Sequence, residues 1–338
     1  MSRFLPASVG LRHAARRLPA VRRLLAQRDQ LAADAITLRE QLDEVQLVVD
    51  GFRSQVAALK RGWPPGHYHS PIPSADEIEQ HRARRTPPER ELGGVNLNEA
   101  GQLALLTQLA QYYSGDLFPD QLVEGFRYYF DNDQFSYGDG VMLHCMLRHL
   151  RPQRVIEVGS GFSSALVLDT NERFLDSAVH CTFIEPNPGR LRSLLGDHDL
   201  ERAEIIARPV QDVDQVVFDQ LHPNDVLFID SSHVAKYGSD VNALVFDVLP
   251  RLRPGVHVHV HDVFYPFEYP DHWIDQGWAW SEDYLLRAFL QFNSAYRITL
   301  FNSFLNTFHR NRVIADFPLW GRNPGGSIWL ERTSDGLA

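Results

Sequence analysis

The sequence predicts an α/β fold in which one long N-terminal helix precedes a mostly parallel sheet. Three observations support this prediction. From residue 154 onward five short β-branched segments alternate with helical stretches, two more strand-like segments follow near the C-terminus, and apolar residues recur every 3.5 positions over residues 24–59. Strands that alternate with helices are typical of a parallel sheet with helices on both faces.

The long helix is predicted over residues 24–59, within an N-terminal segment that spans residues 1–61. Alternating steps of four and three residues from Leu24 meet apolar residues at ten of eleven positions, and Arg28 is the exception. A 3.5-residue apolar repeat over five heptads is typical of a coiled coil, so we expect a homo-oligomer formed through this helix. The alternative is a helix packed on its own domain.

The N-terminal end of this segment is strongly basic. Residues 1–28 contain seven arginines and no acid. A basic amphipathic stretch of this kind can make weak contact with an anionic membrane surface. The alternative is an arginine-rich end that stays in solvent.

Residues 62–98 contain six prolines and polar turns, which predict a linker or an ordered, extended arm. The rest, 99–338, is expected to form the main domain and to begin with helices over 99–150. Because no long helix is expected between the last two strands, they are predicted to pair antiparallel. Strands are predicted at 154–158, 180–184, 204–207, 225–229, 256–260, 296–301 and 326–332, and helices at 163–175, 187–196, 212–221 and 237–251.

Composition excludes several classes of protein. The chain has 338 residues, of which 44% are hydrophobic and 22% charged, as in ordinary globular proteins. Only Cys145 and Cys181 occur, which excludes a disulfide framework and favours a reducing, cytoplasmic location. No apolar run reaches the ~18 residues of a membrane span, and no secretory signal is recognised. From residue 62 onward 22 basic residues face 37 acidic ones, so nucleic acid is not an expected partner.

A glycine turn follows the first predicted strand. The turn reads Glu157-Val158-Gly159-Ser160-Gly161, and Ser163 and Ser164 stand where the next helix begins. Glycines allow a ligand to approach the backbone closely, and a helix N-terminus offers free N–H groups. Glu185 follows the second strand, where an acid can accept both hydroxyls of a ribose. The pattern indicates a nucleoside site, and the charge of Glu157 favours a cationic ligand over a pyrophosphate.

The stretch V-I-E-V-G-S-G-F-S-S resembles the first motif of class I S-adenosylmethionine-dependent methyltransferases. The resemblance covers about residues 130–332 and implies a Rossmann-like, seven-stranded sheet with an antiparallel final hairpin. It also implies that S-adenosyl-L-methionine is the cofactor, that Glu185 binds its ribose and that Asp212 faces its adenine. Ser163 and Ser164 stand near the position where the strictest pattern has a third glycine.

Three further stretches together are similar to a bacterial branch of these methyltransferases that is linked to cell-surface polysaccharide modification. These are G-H-Y-H-S-P-I-P-S at 66–74, F-S-Y-G-D-G at 135–140 and H-D-V-F-Y-P-F-E-Y-P at 261–270. The similarity implies a glycan or other small-molecule acceptor, and it implies that Tyr137 contacts the cofactor.

Polar residues follow the fourth and fifth predicted strands. Asp230 and His233 come after the fourth, and His261 and Asp262 after the fifth. Because ligands of open α/β sheets lie beyond the carboxyl ends of the strands, we expect these side chains to converge. In one interpretation His261 or His233 is a general base, with Asp230 beside it. In the other, Asp230, His261 and Asp262 bind a divalent cation that lowers the pKa of a hydroxyl group.

The resemblance supports the metal, since metal-dependent O-methyltransferases have acids at the ends of these two strands. We therefore expect methyl transfer to a sugar hydroxyl or another small hydroxylated acceptor. Two alternatives stay open: an NAD-dependent reductase on a related fold, and a non-catalytic assembly protein that acts through the coiled coil.

Overall fold

The computed structural model describes residues 19–59, 62–200 and 202–333. The chain divides into two units, one up to Arg84 and the other from Arg85. Most of the basic N-terminal segment precedes Pro19 and so lies outside the described residues. Within the described ranges, no helix combines the length and the hydrophobicity that crossing a membrane requires.

The first unit contains the long helix that the sequence predicts. This helix, α1, runs over Pro19–Leu59, and a second helix, α2, runs over Ala75–Arg84. The start of α2 is stabilised by a reciprocal capping box. Ser74 N–H donates to the Glu77 carboxylate at 2.8 Å, and Glu77 N–H donates to Ser74 Oγ at 3.3 Å.

The second unit is built on one sheet of seven strands among the described residues. Its spatial order is β3-β2-β1-β4-β5-β7-β6, with β1 to β5 parallel and β7 antiparallel to both of its neighbours. This is the mostly parallel, Rossmann-like sheet that the sequence predicts. The strands are β1 (Arg154–Val158), β2 (His180–Ile184), β3 (Glu204–Ile206), β4 (Val226–Ile229), β5 (His257–His261), β6 (Tyr296–Phe301) and β7 (Ser327–Arg332).

Helices flank this sheet and bury its central strands. Every residue of β4 and β5 is buried, as expected where both faces of a parallel sheet are covered. The pairing of β1, β4 and β5 brings their carboxyl ends together, so the segments after Val158, Ile229 and His261 meet at one edge. The helices are α3 (Glu99–Leu109), α4 (Tyr137–Leu150), α5 (Phe162–Phe174), α6 (Gly189–Leu194), α7 (Asp197–Leu200), α8 (Asp240–Ala243), α9 (Asp271–Asp275), α10 (Glu282–Leu290) and α11 (Asn302–Asp316).

The final hairpin is antiparallel as predicted, but the expectation that no long helix separates its strands is wrong. The 15-residue helix α11 lies between β6 and β7. Because β6 and β7 run in opposite directions, their connection begins and ends at the same edge of the sheet and does not cross it. Phe304, Leu305 and Val313 are buried and hold α11 against the core.

The helix predicted over 212–221 is also wrong. Two short 3₁₀ turns, Val210–Asp212 and Gln215–Gln220, occupy this segment. Asp214 lies between them in an extended conformation, and its side chain accepts the N–H of Val216 at 3.0 Å. This local hydrogen bond starts a new turn and prevents one continuous helix.

Candidate active site

The glycine turn after β1 lies directly against the end of β4. Gly159 has a φ of +78°, and a Cβ atom there would overlap the carbonyl oxygen of Asp230. Its N–H donates to Ile184 O at 3.0 Å, which joins the turn to the end of β2. Gly161 N–H donates to Ser164 Oγ at 3.0 Å and so begins α5. Only glycine fits position 159, because both the backbone angle and the close approach exclude a side chain.

Glu157 is fully buried beneath this turn. Its Oε1 accepts a hydrogen bond from Ser163 Oγ at 2.5 Å, and its Oε2 has no partner among the described residues. Burial raises the pKa of Glu157 to about 8, although the hydrogen bond from Ser163 opposes the shift. The carboxyl group therefore holds a proton at neutral pH until positive charge is brought near it. Ser160 Oγ is likewise buried without a partner among the described residues.

Glu185 lies at the junction of two adjoining cavities at this edge of the sheet. Its carboxylate accepts the N–H of Ser160 at 3.3 Å and the N–H of Asn187 at 2.7 Å. Both cavities measure about 370 Å³, and Glu185 and Gly159 line both. One cavity continues along Pro186, Pro209, Val210 and Gln211, which follow β2 and β3. Asp212 is exposed and lines neither cavity, whereas its neighbour Gln211 lines this one.

The other cavity contains a cluster of two carboxylates and one imidazole, formed by Asp230, His233 and Asp262. His233 Nε2 lies 3.3 Å from Asp230 Oδ1 and 3.7 Å from Asp262 Oδ2. One potential ligand atom from each residue lies within 4.8 Å of the others. His233 and Asp262 have φ values of +59° and +55°, so both loops turn sharply as they leave the strands. This geometry is suited to a divalent cation with mixed oxygen and nitrogen ligands.

Glu282, at the start of α10, fixes the orientation of His233. Glu282 Oε2 lies 2.9 Å from His233 Nδ1, and Ser231 Oγ donates to the same carboxylate at 2.9 Å. Burial alone would lower the pKa of His233, but its hydrogen bonds to Asp230 and Glu282 raise it well above the ordinary value. No local sequence pattern marks Glu282 as a partner of His233, because 49 residues separate the two.

His261 lies beside this cluster and is not part of it. Its Nε2 is 3.6 Å from Asp262 Oδ1, and its Nδ1 has no hydrogen-bond partner among the described residues. Burial alone would lower the pKa of His261, but the charges of Asp262 and Asp230 raise it. The sequence placed His261 among the metal ligands, whereas the structure groups His233 with Asp230 and Asp262.

Phe135, Phe162 and Trp280 form the apolar part of the wall around the cluster. The Phe135 ring is 5.0 Å from that of His261, and Phe135 lines the cavity. Tyr137, two residues later, does not line it: its ring stacks on Phe130 at 5.3 Å, beneath the guanidinium of Arg322. Helix α4 begins at Tyr137, so successive side chains of this segment point in different directions.

Trp280 lies against two other rings. His233 lies 4.3 Å from it and Trp278 4.8 Å, measured between ring centroids. The remaining wall is largely polar and is formed by Gln134, Ser160, Ser163, Arg190, Ser231 and Ser232.

Comparisons with known proteins agree with this location. Residues 156–263 match the model of a methyltransferase domain, a range that contains the glycine turn, Glu185 and the cluster. An uncharacterized protein of Archaeoglobus fulgidus is 33% identical over 168 residues, which make up 48% of this chain and 75% of that protein.

Solved structures with lower similarity are also found. The SAH-bound methyltransferase PaMTH1 of Podospora anserina is 15% identical, with a TM-score of 0.39 and coverage of 78% of this chain and 99% of that one. The O-methyltransferase TomG of Streptomyces achromogenes, in complex with SAM, is 18% identical, with a TM-score of 0.38 and coverage of 71% and 92%.

Proposed function

We propose that this chain, which belongs to the same family as the Archaeoglobus fulgidus protein, transfers a methyl group from S-adenosyl-L-methionine to a hydroxyl oxygen. Part of the chain matches a methyltransferase domain. One observation supports this proposal most. The glycine turn, Glu185 and the cluster of Asp230, His233 and Asp262 line adjoining cavities at the carboxyl edge of the sheet. A nucleoside cofactor and an acceptor can therefore meet there.

The residues around the turn fit the cofactor. Glu185 would accept the ribose hydroxyls, and the cavity along Pro186, Val210 and Gln211 would hold the adenine. The buried Glu157 Oε2 and Ser160 Oγ have no partners among the described residues, which suits a ligand that brings positive charge and hydrogen-bond donors. When bound, the cofactor supplies an electrophilic methyl group on a sulfonium centre.

The cluster fits a divalent cation. Asp230, Asp262 and His233 Nε2 offer three ligand atoms, and Glu282 holds the other imidazole nitrogen. A carboxylate behind a ligating histidine is the usual arrangement at metal sites, because it fixes the ring and its tautomer. A cation held there would polarise the acceptor hydroxyl, and the nitrogen ligand favours Mn²⁺ or Zn²⁺ over Mg²⁺.

We propose that His261 is the general base that accepts the proton of the acceptor hydroxyl. His261 lines the cavity that contains the cluster, and its Nε2 lies 3.6 Å from Asp262 Oδ1. His233 is less suited to this role, because its Nε2 is a ligand atom of the cluster and its Nδ1 is held by Glu282. An imidazole works as a general base when its pKa lies near the working pH. Charge compensation of Asp230 and Asp262 by a cation would bring the pKa of His261 closer to that range.

We propose a sugar hydroxyl, or that of another small polar compound, as the acceptor. Serines, Gln134 and carboxylates around the cavity can hydrogen-bond to several hydroxyl groups. The two cysteines are buried and unpaired, which is consistent with a reaction in the cytoplasm.

Calorimetric titration of the full chain with S-adenosyl-L-methionine tests the cofactor assignment. We expect binding by the wild type and at least a roughly tenfold loss in Glu185→Gln, because a charged hydrogen bond contributes about 1.5–3 kcal/mol. Glu204→Gln is the matched control. Glu204 is the first residue of β3, whereas the cavities lie beyond the carboxyl ends of the strands, and it lines neither cavity. Binding of NADH without binding of S-adenosyl-L-methionine would favour the reductase instead.

Transfer from labelled cofactor into sugars and cell-envelope fractions, with and without a chelator, tests the reaction itself. We expect transfer that falls on chelation and returns with Mn²⁺. If Glu185→Gln abolishes binding of S-adenosyl-L-methionine yet still replaces the wild-type protein in cells, the chain acts as an assembly protein and not as an enzyme.

A further inference from the structure

One face of α1 carries a continuous row of exposed apolar side chains. Leu24, Leu31 and Leu38 are 65%, 68% and 64% exposed, and Leu42 and Val45 are 64% and 58% exposed. The row continues through Phe52 and Val56. A helix of 41 residues is ~60 Å long at 1.5 Å per residue. Such a row is unfavourable in water, so a partner with a matching face would stabilise it.

The residue types along the row predict two parallel strands. In heptad terms the d positions hold Leu24, Leu31, Leu38, Val45 and Phe52, and the a positions hold Arg28, Ala35, Leu42, Val49 and Val56. β-branched residues at a and leucine at d favour parallel dimers. Two of the five a positions are valine and three of the five d positions are leucine, so the row meets this preference in part. A charged residue in the core, such as Arg28, specifies register and oligomer size at some cost in stability.

Charges beside the row identify the partner as a second copy of this chain. Asp34 occupies a g position and Arg39 the e position five residues later. In a parallel, in-register pair the g residue of one helix faces this e residue of the other, so Asp34 and Arg39 meet twice, once along each edge. Within the described part of the chain Arg39 forms no ion pair, and Asp34 accepts a hydrogen bond only from Gln30, at 2.8 Å. An antiparallel pair would place g against g and e against e, which loses this match.

We propose that α1 forms a parallel, in-register, two-stranded coiled coil with a second copy of this chain. The coiled coil would join two second units, from Arg85 onward, into one dimer. This inference does not depend on the proposed chemistry, because it concerns the first unit alone.

Light scattering on the full chain gives the first test. We expect a mass twice the 38.6 kDa of one chain at micromolar concentration. The double variant Leu38→Asp/Leu42→Asp should be a monomer, whereas Leu47→Asp, at the outer f position, should remain a dimer. Circular dichroism and thermal unfolding show whether the second unit is folded in each variant. A wild-type monomer, or a trimer or tetramer, would overturn the proposal.

Charge exchange separates pairing between chains from a local effect on helix stability. Asp34→Arg and Arg39→Asp should each weaken the dimer by about tenfold, because like charges then face each other along both edges. The double exchange should restore the affinity to within about twofold of the wild type. Loss without restoration would refute the predicted g-to-e contact.

Disulfide trapping tests the orientation. In a parallel pair Ala35 lies opposite its own counterpart, so Ala35→Cys should form a disulfide-linked dimer under mild oxidation. The native Cys145 and Cys181 are buried and do not compete. Leu47→Cys is the control on the outer face. Absence of the Ala35→Cys disulfide in a protein that is dimeric by light scattering would show an antiparallel pair and refute the proposal.

Discussion

Gly159→Ala is the most direct perturbation of the glycine turn. The residue has a φ of +78°, and an added Cβ would lie 2.9 Å from the carbonyl carbon of Asp230 and overlap its carbonyl oxygen. The neighbour is backbone and cannot rotate away. The turn and the end of β4 must therefore separate by about 1 Å or more, since ordinary contacts of a Cβ begin near 3.4 Å. The movement would displace both the cofactor turn and the Asp230 carboxylate.

The cost follows from two contributions. An alanine at positive φ costs about 1 kcal/mol, and the overlap with fixed backbone adds about 2–4 kcal/mol, as in other overpacked sites. A total of about 3–5 kcal/mol would lower the melting temperature by roughly 6–20 °C for a domain of this size. Binding of S-adenosyl-L-methionine should fall by at least about tenfold, because the turn no longer fits.

Thermal unfolding and calorimetry of the full chain measure both effects. Gly161→Ala is the control, since Gly161 has no positive φ and its Cβ would meet only Arg190 Cδ at 3.4 Å. It should change the melting temperature by less than about 3 °C. If Gly159→Ala melts and binds like the wild type, the close contact between the turn and β4 is wrong.

Three further variants probe the acid cluster, the buried acid and an ion-pair network. Asp262→Asn should weaken Mn²⁺ binding by about tenfold or more in calorimetry, because one charged ligand is lost. Burial raises the pKa of Glu157 to about 8 from 4.5, so the folded protein keeps a proton that the unfolded chain releases. The free energy of unfolding should therefore fall as the pH rises from about 5 to 8, and Glu157→Gln should lack this loss in denaturant titrations. Arg127→Met should lower the free energy of unfolding by about 3 kcal/mol, because it leaves the buried Asp169 carboxylate without its cation.

The variants of the cluster and of the ion pair each have a matched control. Asp271→Asn changes an exposed acid outside the cluster and should bind Mn²⁺ like the wild type. Arg251→Met breaks an exposed pair with Asp219 and should cost less than about 1 kcal/mol. The reasoning fails if Asp271→Asn weakens Mn²⁺ binding as much as Asp262→Asn, if Glu157→Gln keeps the pH dependence of the wild type, or if Arg127→Met is as mild as Arg251→Met.

Most of the fold was predicted from short residue patterns and from the parallel direction of neighbouring strands. β-branched runs, glycine turns and helical spacing are short-range features, so the strands were located to within one or two residues. The carboxyl ends of β1, β4 and β5 meet because parallel neighbours share an edge, and this places Gly159, Asp230 and Asp262 together. The long helix was predicted equally well, because its heptad repeat can be read directly from the amino-acid sequence.

Other features depend on long-range packing. The helix between β6 and β7 was not predicted. Both ends of this connection lie at the same edge of the sheet, so the residue patterns of the two strands do not indicate whether a helix lies between them. Which histidine joins the carboxylates was decided by the backbone of two loops. His233 turns at φ +59° and is held by Glu282 from α10, whereas His261 belongs to β5 and stays beside the cluster.

The sequence by itself determined the positions of the strands, the glycine turn and the acid after β2, because each is encoded within a few neighbouring residues. Only the tertiary structure decided that Gln211 and not Asp212, and Phe135 and not Tyr137, line the cavities. Adjacent side chains in a turn or at a helix start point in different directions. Their direction is set by the packing of distant elements, which no local pattern records.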